Sequence, residues 1–134
     1  MTFSSVGCKT VMVVEDDRDI RESLKDALEA ENFSVVTACN GREALDALRS
    51  DLRPCLILLD LMMPLMGGVE FIDRLDVDLH LECIPVFVIS AIADRSNSAR
   101  ATGYIKKPAD LDVILATAHR YCGSNLSVAS VVGP

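Results

Sequence analysis

A chain of 134 residues falls within the usual range of one domain and can bury a proper hydrophobic core without help from disulfides or metals. Half of it is hydrophobic, yet no apolar run approaches the roughly 18 residues of a spanning helix. That excludes membrane insertion and assigns the apolar content to the core of a soluble domain. A formal charge of −7, with 13 Lys and Arg in no cluster or stripe, repels a phosphate backbone and argues against direct binding of nucleic acid.

Residues 1–9 read as an N-terminal extension. The opening M-T-F-S-S-V-G-C-K-T has neither the basic start nor the apolar stretch of a secretory signal, so a cytoplasmic address is expected. A first strand follows in V-M-V-V at 11–14 and runs into Glu15, Asp16 and Asp17. Ile20, Leu24, Ala27 and Leu28 then recur at helical spacing, with Asp17 or Asp19 as the cap. V-V at 35–36 is a second strand, and Asn40-Gly41 marks the turn into a helix carrying Ala44, Leu45 and Leu48. L-I-L-L at 56–59 is a third strand ending at Asp60, followed by a helix on Ile72, Leu75 and Leu79.

V-F-V-I at 86–89 is a fourth strand ending at Ser90. The segment 94–102, D-R-S-N-S-A-R-A-T, should hold the next helix, but its only apolar residues are alanines and Ser-Asn-Ser sits at its centre. A short or loosely packed helix is expected there. Y-I at 104–105 is a fifth strand, Lys107-Pro108-Ala109-Asp110 breaks the chain, and Leu111, Ile114, Leu115 and Ala118 form the last helix. The domain thus covers 10–122, and 123–134 read as a C-terminal tail that is a candidate for disorder.

Strands apolar at successive positions are covered on both faces, and strict βα alternation implies a doubly wound α/β fold with right-handed crossovers. The expected architecture is a doubly wound five-stranded parallel sheet with flanking helices and a shortened fourth helix. The five cysteines are an odd number, widely spaced and without C-x-x-C, and are expected to be reduced thiols.

In such sheets ligands bind beyond the carboxyl ends of the strands. Glu15, Asp16, Asp60, Ser90 and Lys107 all fall at that edge. Crowded carboxylates repel one another unless a cation or a lysine intervenes, and Mg2+ is the natural candidate because it takes one or two carboxylates and fills its octahedron with water and phosphate oxygens. An aspartate flanked by metal, hydroxyl and lysine is equipped for phosphoryl transfer. Taken singly, the acidic triplet could be a helix N-terminus, Ser90 a cap and Lys107 a solvated loop charge. Their shared position at the ends of successive strands favours the site.

At this point the chain resembles the receiver domains of bacterial two-component response regulators, of the single-domain, chemotaxis-regulator kind. The likeness runs from about Thr10 to Tyr121, through V-V-E-D-D at 13–17, L-L-D-L-M-M-P-L-M-G-G at 58–68, V-I-S-A at 88–91 and G-Y-I-K-K-P at 103–108. It implies a flavodoxin-like strand order of 2-1-3-4-5, that Asp60 is the phosphoacceptor, that Asp16 ligates Mg2+ directly and Glu15 through water, and that Asp60 and the backbone carbonyl of Met62 complete the protein ligands. Ser90 and Lys107 would bind the phosphoryl oxygens, Pro108 would follow a constrained, often cis, peptide, and Tyr104 would be the aromatic switch. The implied partners are a histidine kinase or phosphotransfer protein and a downstream protein target, with room for a homodimer.

The chain departs from the family pattern in having only sixteen residues between Ser90 and Lys107, short by more than a helical turn. Met62 and Ile92 are bulky and apolar where they would flank the phosphoryl group, so neither can orient an attacking water and slow self-dephosphorylation is expected, while the small Ala91 leaves access for the donor. Three other readings compete. A degenerate receiver would dock partners without phosphorylation. An aspartate-nucleophile phosphatase would need a second aspartate where Met62 stands. A nucleotide or flavin module would need a Gly-rich loop after Val14.

Overall fold

The computed structural model describes residues 9–50, 52–60, 71, 74, 84–90, 102–108 and 110–123. Five strands, β1 (Thr10–Val14), β2 (Ser34–Ala38), β3 (Leu56–Asp60), β4 (Val86–Ser90) and β5 (Gly103–Lys106), form one parallel sheet in the order β2-β1-β3-β4-β5. Each strand falls where an apolar run predicts one, and the order is the expected one. The register sets Asp60 opposite Ile89 and Ser90 opposite Lys106, so the polar ends of β3, β4 and β5 finish at one edge.

Three helices are complete among the described residues: α1 (Arg18–Ala30), α2 (Gly41–Arg49) and α3 (Leu111–Ala118), the last running into a π-helical turn over His119–Gly123. Their starts follow from side-chain caps. Of the two candidates, Asp17 caps α1, accepting from the Ile20 N–H at 3.1 Å, while Asp19 lies in the first turn. Asn40 caps α2 by accepting from the Glu43 N–H at 2.8 Å, and Glu43 reaches back to the Cys39 N–H at 2.6 Å. Asp110 caps α3, accepting from Asp112 N–H at 2.8 Å. At the end of α1 the backbone turns left-handed at Asn32 (φ 71°), and Asn32 and Phe33 donate to the carbonyls of Glu29 and Leu28 in a Schellman motif.

The sheet divides the core in two because successive strand side chains point to opposite faces. Met12, Val14, Ile57, Leu59, Val86 and Val88 pack with Ala44, Leu45 and Leu48 of α2 and with Phe71. Val11, Val13, Leu56, Leu58, Ile89 and Ile105 pack with Leu24 and Leu28 of α1, and Ile114 and Ala118 of α3. Helices therefore cover both faces, as the unbroken apolar strands require. No helix among the described residues is long and apolar enough to cross a membrane.

Of the helix expected on Ile72, Leu75 and Leu79, only Phe71 and Arg74 are described, and both are helical. The shortened fourth helix, the N-terminal extension up to Cys8 and the tail from Ser124 lie outside the described residues. One expectation is corrected: Cys55 and Cys122 are not thiols but a disulfide, with Cα atoms 5.4 Å apart and a sequence separation of 67. Sequence spacing gives no warning, because the pairing depends on the approach to β3 and the turn after α3 meeting at the same end of the sheet. Cys39 is the free cysteine among the described residues.

Candidate phosphoacceptor site

The site is built from the carboxyl ends of β1, β3 and β5. Glu15 follows β1 directly, its N–H held by the Ala38 carbonyl of β2 at 3.0 Å, and its side chain turns inward until the residue is only 2% exposed. Asp60, the last residue of β3, is 4% exposed. Asp16 lies in the open turn between β1 and α1. One carboxylate oxygen from each of these residues falls within 4.8 Å of the others.

Lys107, one residue beyond β5, brings its Nζ to 3.4 Å from Asp60 Oδ1 and 3.5 Å from Glu15 Oε1. The Lys107–Pro108 peptide is cis. Ser90 ends β4 between Asp60 and Lys107 in strand order, so its backbone is in place; its side chain lies outside the described residues, as do Met62, Ala91 and Ile92. Tyr104 pairs with Val88 across β4 and β5 and packs, half-buried, against the core on the α2 side of the sheet.

Electrostatics follow from this crowding. Burial pushes the Glu15 carboxyl from 4.5 to about 7, reinforced by the charge of Asp60 and opposed by the Asp17 N–H at 3.2 Å and by Lys107. Burial alone would lower Lys107, but the Asp60 and Glu15 carboxylates outweigh it and raise its pKa. Glu15 Oε1 is buried and accepts no hydrogen bond, being close to Lys107 only as an ion pair. With three carboxylates, one lysine and an unsatisfied buried oxygen, the pocket suits a divalent cation with oxygen preference.

Arg21 is a contributor that sequence reasoning missed. From the first turn of α1 its guanidinium donates to the Glu15 carbonyl at 2.9 Å and the Asp16 carbonyl at 3.4 Å, pinning the turn that carries both carboxylates. No motif marks it, because the bond is between a side chain and backbone six residues away.

Residues 11–119 match the family model described as the response regulator receiver domain. The chain is 34% identical over 120 residues to the polar-differentiation response regulator DivK of Brucella anthropi, covering 86% of this chain and 97% of DivK. It is 39% identical over 111 residues to the response regulator MprA of Mycolicibacterium vanbaalenii, covering 79% of this chain but only 47% of that protein. Among solved structures, the response regulator TrrA of Thermotoga maritima, in complex with Mg2+ and BeF, superposes with a TM-score of 0.74 at 29% identity, over 84% of this chain and 98% of that one.

Proposed function

The chain belongs to the response regulator receiver domains, and on that footing we propose that it is a phosphorylation-dependent signalling switch of a two-component or phosphorelay system. The observation that carries this reading is the buried Asp60 at the end of β3, with Lys107 at 3.4 Å and the Glu15 and Asp16 carboxylates gathered beside it. In the proposed reaction the Asp60 carboxylate attacks the phosphorus of a phosphohistidine on a kinase or phosphotransfer protein. The new bond is O–P, the broken one is N–P, and the imidazole leaves.

Glu15, Asp16, Asp60 and the Met62 carbonyl would hold Mg2+, which when bound supplies charge neutralisation for the phosphoryl oxygens. Lys107 stays protonated and faces the same oxygens. The Ser90 hydroxyl is assigned the remaining phosphoryl oxygen, and its movement is assigned to draw Tyr104 inward and alter the surface offered to a downstream protein. Met62 and Ile92 are apolar by sequence and bring no group that could orient an attacking water, so the phosphorylated state is proposed to decay slowly. The domain is proposed to span 10–122 and to work in the cytoplasm, with catalysis limited to its own phosphoryl transfer and slow dephosphorylation.

The test is intact-protein mass spectrometry after incubation with Mg2+ and acetyl phosphate. A phosphoryl-sized gain in wild type and none in Asp60→Ala supports the reading. If wild type gains no mass and does not respond to fluoroberyllate, it is wrong, and the chain is a receiver that docks partners without phosphorylation.

A further inference from the structure

α3 is lightly held. Of its own residues only Ile114 and Ala118 are buried, while Leu111 and Val113 stand 43% and 45% exposed. Beyond it, four contacts are described for the turn 119–123: the exposed His119–Glu31 contact at 3.1 Å, the tilted His119–Phe33 and Tyr121–Phe87 ring pairs, and the Cys55–Cys122 disulfide. The His119–Glu31 contact is solvated and contributes little. The disulfide is the covalent tie of this turn to the sheet among the described residues.

The two ends of that bond differ in access. Cys122 is 2% exposed and sits inside the core on the α1 side of the sheet, whereas Cys55, just before β3, is half-buried at its margin with its N–H on the Thr10 carbonyl at 2.9 Å. An incoming thiolate meets the Cys55 sulfur first. Once the bond is broken, Cys122 is a small apolar residue in an apolar site, so the fold survives reduction.

We propose that Cys55–Cys122 is a reversible thiol–disulfide exchange site that latches the 111–123 segment to the sheet, with Cys55 as the sulfur that a small-molecule or protein thiol attacks. A thiolate RS⁻ bonds to Cys55 Sγ and expels Cys122 as a thiolate, which takes a proton. A second RS⁻ then frees Cys55, also protonated, and leaves as RSSR. The protein gains two electrons and two protons. Reduction loosens 111–123 and changes the surface around Leu111 and Val113, an input separate from Asp60 chemistry.

Thiol-alkylation mapping and hydrogen exchange on the full chain, oxidised and then treated with dithiothreitol, test the latch. In the oxidised protein Cys55 and Cys122 resist alkylation, and both label after reduction. Amides of 111–123 then exchange at least about tenfold faster while those of β1 and β3 stay protected, a change well inside what closing so long a loop contributes. Asp60→Ala gives the same response, since the latch does not use that residue. Oxidised glutathione places an adduct on Cys55 in Cys122→Ala faster than on Cys122 in Cys55→Ala. The proposal is overturned if both cysteines alkylate without reductant, if exchange at 111–123 is indifferent to reduction, or if the two adducts form equally fast.

Discussion

The Nζ of Lys107 stands 3.4 Å from Oδ1 of Asp60, bridging the ends of β5 and β3 across the intervening β4. The contact exists because a parallel sheet finishes all its strands at one edge, and it places a fixed positive charge where phosphoryl oxygens would arrive. Lys107→Met should therefore slow phosphoryl transfer from acetyl phosphate by about a hundredfold, the usual scale for losing one charge-stabilising donor. The phosphorylated fraction followed by mass spectrometry against time checks this, and an unchanged rate would remove Lys107 from the chemistry.

Glu15 carries a pH signature in the metal-free protein. Its carboxyl is raised from 4.5 to about 7 in the folded state, chiefly by burial, so the folded chain binds more protons than the unfolded one between those values. This contribution to stability is complete below the unfolded value and is lost as pH rises through the folded one. Between about pH 5 and pH 8 the melting temperature of wild type should fall relative to Glu15→Gln. Saturating Mg2+, by favouring the ionised carboxylate, should flatten the difference; parallel curves without metal would disprove the burial effect.

Decay of the aspartyl phosphate offers a test at the two apolar flanking positions. Met62→Asn or Ile92→Glu provides a polar group able to orient water, and each should speed dephosphorylation by about tenfold or more. A radiolabel chase measures it, and equal half-lives in both variants would end this explanation.

Gly103 has a packing role that is independent of the chemistry. A Cβ there would fall 2.5 Å from Phe87 Cε2 and 2.9 Å from its Cζ, and that ring already packs at a tilt against Tyr121 with centroids 5.4 Å apart. Gly103→Ala should cost about 1–3 kcal/mol in urea unfolding, as overpacking does. Adding Phe87→Leu should recover part of the loss, and a fully additive pair would show that the ring is not what Gly103 accommodates.

The β-strands were legible because each is a short apolar run, and most helices between them because they repeat at their own period, signals carried within a few residues, whereas the sheet order followed from the family resemblance. The acidic pair after Val14, Asp60 after Leu59 and Lys107 after Lys106 were legible too, since parallel topology converts position at a strand end into position at one edge. The same local signals left Asp17 and Asp19 undecided as the cap of α1, because both offer a carboxylate and only the backbone path selects Asp17.

What the sequence by itself determined, then, is the alternation of strands and helices and the residue types delivered to the carboxyl edge. Tertiary structure alone decided which groups meet across long separations: Cys55 with Cys122, Arg21 with the Glu15 carbonyl, Phe87 over Gly103, and a Glu15 oxygen buried without a hydrogen bond. The physical reason is that such contacts depend on distances between elements, and those are set by side-chain packing throughout the core, which no local pattern in the chain encodes.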